Sequence, residues 1–207
     1  MSPVSMCGSR HEILKILKRE RCTVDELSSK IGISPTAIRQ HLTILEGDSL
    51  VTRETLKEGI GRPKVIYTIT EKAEELFPKF YSWLAECLIE AITGEYGEEK
   101  VESLMRQIGI RFSQPYLERV QGKPLEERVC EVTDIMNEWG AYASVENDGR
   151  DYLLKNYNCS FYKVAQKYPQ VCSVHTTFLE NLLELNPERI ASMAEGNDYC
   201  AYQIKEK

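Results

Sequence analysis

Apolar residues at helical spacing predict two short helices at the start of the chain. In "HEILKILKRE" the apolar positions fall on one side and the charges on the other: Ile13, Leu14, Ile16 and Leu17. In "CTVDELSSKIG", Thr23 and Glu26 have the spacing of a capping box, and Gly32 follows the last helical residue. The pattern therefore predicts a second helix of about two turns between Thr23 and Gly32.

A third helix follows in "ISPTAIRQHLTILE", with Ser34 as its N-cap and Pro35 at its first position. Its apolar face is Ile38, Leu42 and Leu45, and its opposite face is Thr36, Arg39, Gln40 and Thr43. A short helix, a turn and a polar-faced helix are typical of a helix-turn-helix, whose second helix enters the major groove of DNA. The alternative is a plain three-helix packing unit with a solvated face.

The next segment favours the DNA-binding reading. Residues 50–55 and 65–70 are rich in β-forming side chains, and "KEGIGRPK" lies between them. This pattern predicts a β-hairpin with a long, glycine-rich, cationic tip, which is the wing of a winged helix.

The stretch "SPTAIRQHLTILEGDSLVTRE...GRPKVIYTIT" resembles the winged-helix domain of ArsR and DeoR-like bacterial and archaeal repressors. The resemblance implies a DNA-binding domain over residues 1–70. It also implies DNA contacts from the third helix and from the wing. The implied contact residues are Ser34, Thr36, Arg39, Gln40, His41 and Thr43 on the helix, and Arg62 and Lys64 on the wing.

Residues 71–96 carry one apolar stripe along a long helical pattern capped by Thr70, with Cys87 expected to be buried in it. Pro78 should bend or split this helix. In winged-helix repressors such a helix commonly pairs with its twin, so the expected assembly is a homodimer on a palindromic operator of double-stranded DNA. The alternative is that the stripe packs against the C-terminal domain of the same chain.

Residues 97–207 predict a C-terminal domain that combines helices with an antiparallel sheet. Two amphipathic helices come first, with Cys130 expected in the core of the second. A hairpin then turns at Asp148-Gly149, and a second hairpin turns at "GND" near the end of the sequence. Two helical stretches separated by Pro169 lie between the hairpins. The fold class is therefore α+β, with a winged helix, a linking helix and a sheet covered by helices on one face.

Composition and charge indicate which part of the chain meets DNA. The chain has 207 residues and a net charge of −6, yet residues 1–70 hold eleven Lys and Arg against eight Asp and Glu. The remaining residues hold 15 against 24, so a polyanion is expected to meet only the N-terminal part. Neither a signal-peptide pattern nor an apolar run of roughly 18 residues is visible, which predicts a cytoplasmic protein.

In a reducing cytosol the seven cysteines are expected as buried thiols, metal ligands or redox centres. Cys159, Cys172 and Cys200 fall at the predicted ends of elements: after a strand, at a helix start and at the start of the last strand. Element ends can converge at one end of a sheet, and converging thiolates bind a soft metal centre. The alternative is three unrelated buried cysteines.

The segments "YNCSFYKVAQKYPQVC" and "EGNDYCAYQI" resemble the C-terminal domain of SufR-type iron–sulfur regulators. That resemblance implies a [4Fe–4S] cluster on Cys159, Cys172 and Cys200, and a repressor that senses redox state or iron–sulfur supply. Such proteins generally have a fourth cysteine, but here the corresponding places hold residues such as Lys155 and Asn186. The candidates for the fourth ligand are then His175, Cys130 or a small molecule.

A second reading of the C-terminal domain stays open. The ending "GNDYCAYQI" also resembles vinyl-reductase-like domains, which would make this a winged-helix regulator that senses a small apolar ligand or zinc. The aromatic residues that could line such a pocket are Tyr152, Tyr157, Phe161 and Tyr162. No Cys-x-x-Cys, Cys-His arrangement with an orienting group, or phosphate loop is present, so the sequence does not indicate an enzyme.

Overall fold

The computed structural model describes residues 8–57, 63–147 and 149–205, and divides the chain into two compact units after Phe80. The elements of the first unit are the helices α1 (Ser9–Leu17), α2 (Val24–Ile31), α3 (Pro35–Gly47) and α4 (Glu71–Glu74), and the strands β1 (Val51–Leu56) and β2 (Lys64–Ile69). None of the helices among these described residues is long and apolar enough to cross a membrane.

Local capping fixes the ends of α2 and α3 as the sequence predicts. The Thr23 side chain accepts a hydrogen bond from the backbone N–H of Glu26, and the Glu26 carboxylate accepts one from the Thr23 N–H over 2.6 Å. Gly32 ends α2 with a φ of 79°, in the left-handed region that favours glycine. Ser34 caps α3 by accepting from the Ala37 N–H over 3.2 Å.

Strands β1 and β2 form an antiparallel hairpin whose register runs from Val51 opposite Ile69 to Leu56 opposite Lys64. An isolated antiparallel bridge joins Tyr67 of β2 to Cys22, between α1 and α2. Both residues belong to the buried core of this unit, so the bridge fastens the hairpin to the helices. The fold is the predicted winged helix. Arg62, expected at the hairpin tip, lies outside the described residues.

Pro78 falls between two separate helices rather than inside one long helix, because a proline ring clashes with the preceding helical turn. The second unit contains α5 (Tyr81–Tyr96), α6 (Glu98–Ser113), α7 (Leu117–Val120), α8 (Leu125–Glu138), β3 (Ala143–Asn147), β4 (Asp151–Asn156), α9 (Tyr162–Ala165), α10 (Cys172–Leu183), β5 (Glu188–Ala191) and β6 (Cys200–Lys205). Only Gly97, with a φ of 80°, separates α5 from α6.

The four strands of the second unit form an antiparallel sheet in the order β3-β4-β6-β5. Alternate residues of β4 and β6, including Leu154, Tyr202 and Ile204, are buried on one face. They share a core with Met136 of α8 and Phe178 of α10, so the helices cover that face. This architecture confirms the predicted α+β class.

Helices α6 and α10 approach each other closely at Gly109. A Cβ atom added there would lie 2.6 Å from the carbonyl oxygen of Val174 and 2.8 Å from Cβ of Thr177. Because real Cβ atoms do not come this near to backbone atoms, only glycine allows this spacing. The contact holds the first half of α10 against α6.

Two cysteine predictions are wrong, and the helical stretch before Pro169 is short. Cys87 and Cys130 were expected to be buried, but both are exposed, on α5 and α8. The apolar stripe of α5 buries only Ile89 within the chain, so Cys87 has no core to join. The stretch before Pro169 forms only the four-residue α9, and Pro169 begins a separate 3₁₀ turn.

Candidate nucleic-acid interface and thiol site

Helix α3 presents a polar face to solvent. Thr36, Arg39, Gln40 and Thr43 are exposed, and His41 is half-buried. Ile38, Leu42 and Leu45 on the opposite side are fully buried in the core of the unit. This alternation holds the polar side chains away from the core, where a groove of DNA could accept them.

Two cations on this unit remain available to phosphates. Arg39 of α3 and Lys64 of β2 are exposed, and neither makes an ion pair among the residues that the structure describes. By contrast, Arg21 pairs with Glu54. The Thr43 hydroxyl donates to the Arg39 carbonyl over 2.9 Å, so Thr43 uses its proton within the helix. Arg39 and Lys64 therefore present positive charge to solvent.

Three cysteines lie at element ends in the second unit, as the sequence predicts. Cys172 is the first residue of α10, and Cys200 is the first residue of β6. Asn156, the last residue of β4, lies opposite Cys200 in the sheet register. Cys159 follows three residues later, so Cys159 and Cys200 belong to the same end of the sheet.

Electrostatics link the three thiols. The pKa of Cys159 is raised to about 11, chiefly by burial and to a smaller extent by the charges of Cys200 and Cys172, while a hydrogen bond from the Phe161 N–H opposes the shift. Burial also raises the pKa of Cys200, and Cys172 adds to that increase. The groups are therefore close enough to sense one another's charge in a poorly solvated environment.

Two neighbouring groups partly oppose the increase in the pKa of Cys200. The backbone N–H of Met193 donates to Sγ of Cys200 over 3.4 Å, and the Arg189 guanidinium attracts the thiolate. These effects are smaller than that of burial, so the thiol stays protonated at neutral pH. Mutually repelling, desolvated thiolates require positive charge from a bound group before they can form together.

Tyr202 was not predicted from the sequence. It interacts electrostatically with two of the thiols and forms a hydrogen bond with α10. Burial raises the pKa of its hydroxyl, and the charges of Cys200 and Cys172 raise it further. The same hydroxyl forms a side-chain hydrogen bond with Thr176. A signal was present in the sequence, because Tyr202 comes two residues after Cys200 in a strand and so points to the same face.

His175, one turn after Cys172 on α10, is a half-buried residue whose Nε2 atom is fully buried and has no hydrogen-bond partner among the residues that the structure describes. Burial lowers the pKa of its imidazole to about 4, so the ring is neutral. Its centroid lies 6.1 Å from that of Tyr202 and 6.2 Å from that of Phe178. The ring lines a cavity of about 50 Å³.

No single-ion metal site is preformed in the part of the chain that the structure describes. There, no group of three or more His, Cys, Asp or Glu side chains is close enough to hold one metal ion. Cys130 is exposed on α8, and no described interaction connects it to the three thiols. An iron–sulfur cluster differs from a single ion because each protein ligand binds a different iron atom, which spaces the ligands further apart.

The four aromatic residues considered for a ligand pocket do not line a common one. Tyr152 lies in the core, Phe161 lines the cavity of about 50 Å³, and Tyr157 and Tyr162 are 46% and 43% exposed. Pockets for organic ligands usually measure about 300–1,000 Å³. This enclosed space therefore does not fit such a ligand.

Residues 7–53 match the family model described as "Bacterial regulatory protein, arsR family". The match covers α1, α2, α3 and the start of β1. This segment is similar to the arsR-type helix-turn-helix. Its N-terminal unit is accordingly that of a DNA-binding transcriptional regulator. No curated protein matches the chain.

Solved structures with local similarity are also regulators. Reduced YodB from B. subtilis is 26% identical over 42% of this chain and 78% of its own, with a TM-score of 0.30. ZitR from Lactococcus lactis, described as a zinc-responsive MarR family member, is 20% identical over 66% and 78%, with a TM-score of 0.32. The adhesin competence repressor AdcR from Streptococcus pyogenes is 17% identical over 57% of this chain and 84% of its own, with a TM-score of 0.32. Because these TM-scores are below 0.5, the conclusion that the N-terminal unit binds DNA depends on the segment similar to the arsR family and not on these structures.

Proposed function

We propose that the protein is a homodimeric repressor whose affinity for its operator is controlled by an iron–sulfur cluster, [4Fe–4S], on Cys159, Cys172 and Cys200. The observation that supports this proposal is that the charge of Cys172 acts on both Cys159 and Cys200, and that the charge of Cys200 acts on Cys159. The signal would be redox state or the supply of iron and sulfide.

On DNA, α3 would lie in the major groove with Arg39 and Gln40 facing base edges or phosphates. Ser34 and Thr36, at the N-terminal end of α3, are exposed near the helix terminus, where backbone N–H groups favour phosphate. Lys64 would contact the backbone from the hairpin. The acidic second unit would stay away from the duplex because like charges repel.

The dimer would form through α5. Its Trp83, Leu84 and Leu88 are 62%, 50% and 54% exposed, which is a large apolar surface for one helix. Exposed apolar faces of this kind mark protein interfaces, and a two-fold pairing of α5 buries the same face on both chains. A dimer presents two α3 helices to a palindromic operator.

The residues at the thiol site fit an iron–sulfur cluster. Thiolates are soft ligands of the kind that iron–sulfur clusters prefer, and the charge repulsion among them is relieved when positive iron binds. The Met193 N–H and the Arg189 guanidinium stabilise negative charge on Cys200. When bound, a cluster supplies a group that exchanges electrons and is lost under oxidation or iron scarcity.

The three cysteines lie on different elements, so they would be held together only while a shared group binds them. Cys159 follows β4, Cys172 begins α10 and Cys200 begins β6. Regulation requires that cluster-bound and cluster-free proteins differ in operator affinity by roughly 1–3 kcal/mol. Such a coupling corresponds to a change of about 5- to 150-fold.

The test is operator binding by the anaerobically purified dimer before and after removal of the cluster. Wild-type protein should change its operator affinity within that range, and Cys159→Ser should show one affinity under both conditions. The exposed Cys87 provides the matched control, because Cys87→Ser should respond like wild type. An unchanged wild-type affinity, or a response that persists in Cys159→Ser, would overturn the proposed regulation.

A further inference from the structure

A cleft of about 450 Å³ lies within the second unit and opens to solvent. It is bounded by α6, the 3₁₀ turn Pro169–Val171, α10 and β5. Its polar lining consists of Glu102, Arg106, Gln170, Ser173, Thr176 and Arg189. The volume is in the range of about 300–1,000 Å³ that small-molecule sites span, but such sites are usually mostly apolar. A polar lining therefore indicates a polar ligand.

Contacts between α6 and α10 hold one wall of the cleft in place. The Ser173 hydroxyl donates a hydrogen bond to the Glu102 carboxylate over 2.5 Å. Arg106 lies 3.5 Å from Glu102 and 3.6 Å from Glu180. Because the two helices also meet at Gly109 without room for a Cβ atom, their spacing is fixed. This wall of the cleft is therefore formed before any ligand binds.

Both guanidinium groups at the cleft keep N–H groups for a ligand. Arg106 directs Nε toward Glu102 and Nη1 toward Glu180. Arg189 donates from Nη2 to Glu195 over 3.2 Å. All three separations are longer than the roughly 2.7–2.9 Å of a charge-assisted hydrogen bond. Since a guanidinium has five N–H donors in a planar fork, each arginine can also bind a carboxylate of a ligand.

The charges around the cleft disfavour a multiply charged anion as the ligand. Three carboxylates, those of Glu102, Glu180 and Glu195, lie beside the two arginines, so the cleft has no excess of positive charge. Gln170 adds an acceptor, because its Oε1 atom is buried without a hydrogen-bond partner among the described residues. Such an acceptor is unusual, and an N–H group of a ligand would satisfy it.

We propose that this cleft binds a free α-amino acid, whose two opposite charges match the two kinds of partner. The carboxylate of the amino acid accepts hydrogen bonds from Arg106 and Arg189. Its ammonium group donates to Glu102 and Gln170. The site requires no cluster, so the proposal goes beyond the proposed function and does not depend on it.

The experiment is isothermal titration calorimetry of each proteinogenic amino acid into the full-length protein. At least one amino acid should bind at a single site per chain. Its decarboxylated amine and its deaminated acid should each bind at least about tenfold more weakly, because each analogue loses the hydrogen bonds of one charged group. Arg106→Gln and Arg189→Gln should each weaken binding of the amino acid by at least about tenfold for the same reason.

Arg111→Gln is the matched control, because Arg111 is exposed on the same helix as Arg106 and is not among the described residues that line the cleft. This variant should bind the amino acid like wild type. The Arg106 side chain is 51% exposed, so its replacement should leave the protein folded. Urea unfolding of each variant checks the fold. If Arg189→Gln does not fold, Arg106→Gln decides the result.

Three results would overturn the proposal. The first is that no amino acid binds at millimolar concentration. The second is binding that survives both arginine substitutions, or that is equally strong for the amine or the deaminated acid. The third is tighter binding of succinate or inorganic phosphate than of any amino acid, which would make the cleft an anion site instead.

Discussion

The backbone N–H of Met193 donates a hydrogen bond to Sγ of Cys200 over 3.4 Å. Met193 begins a short 3₁₀ helix that precedes β6, so this bond ties the loop after β5 to the thiol site. Hydrogen bonds to cluster sulfurs stabilise the more negative, reduced state and so raise the reduction potential.

Met193→Pro should therefore lower the reduction potential of the bound cluster. Proline removes the N–H donor and is tolerated at the first position of a helix. Met193→Ala is the matched control, because it shortens the side chain but keeps the donor. The measurement is an anaerobic redox titration of both variants, and equal potentials would show that the bond does not influence the cluster.

Gly109→Ala should destabilise the second unit by about 1–3 kcal/mol, because the added methyl group overpacks the contact with Val174 and Thr177. Gly94 of α5 is the control, since a Cβ there meets nothing within 4 Å. Gly94→Ala should instead stabilise its helix by about 0.5–1 kcal/mol. Urea unfolding of the cluster-free protein measures both, and similar changes in the two variants would contradict the close approach of α6 and α10.

Arg39→Ala should weaken operator binding by about 1–3 kcal/mol, because it removes an exposed cation from the polar face of α3. If Arg39 contacts a phosphate, the salt dependence of binding should also fall by about one unit of log–log slope. Fluorescence anisotropy over a salt series measures both. Lys15→Ala removes an ion-paired cation from α1 and should leave binding close to wild type.

Leu88→Glu should convert the dimer to a monomer, because it places a charge within the apolar face of α5. Ile190 of β5 is almost equally exposed, at 53% against 54% for Leu88, and provides the control. Ile190→Glu should leave the dimer intact. Sedimentation velocity gives the mass in each case. A wild-type monomer, or a dimer that survives Leu88→Glu, would show that α5 is not the interface.

The N-terminal unit was predictable because its determinants are local. The capping box of Thr23 and Glu26, the Ser34 cap and the positive φ of Gly32 each depend on residues a few positions apart. Helical periodicity then assigns Ile38 to the core without reference to any distant residue.

The second unit was predictable only in outline, because its site depends on strand register and on partners far away in sequence. Element ends at the three cysteines could be predicted, but the pairing of Asn156 with Cys200 could not. The exposure of Cys87 and Cys130 was also missed, since helical periodicity shows an apolar stripe without showing what covers it. The buried environment of His175 depends on Phe178 and Tyr202, which belong to two different elements.

The most direct test of the central claim is the iron and acid-labile sulfide content of anaerobically purified protein. Wild type should be brown and contain about four iron and four sulfide per chain. Cys159→Ser, Cys172→Ser and Cys200→Ser should each lose most of both, while the exposed-site variants Cys87→Ser and Cys130→Ser keep them. Wild-type protein without iron, or iron that survives all three substitutions, would contradict a cluster at this site.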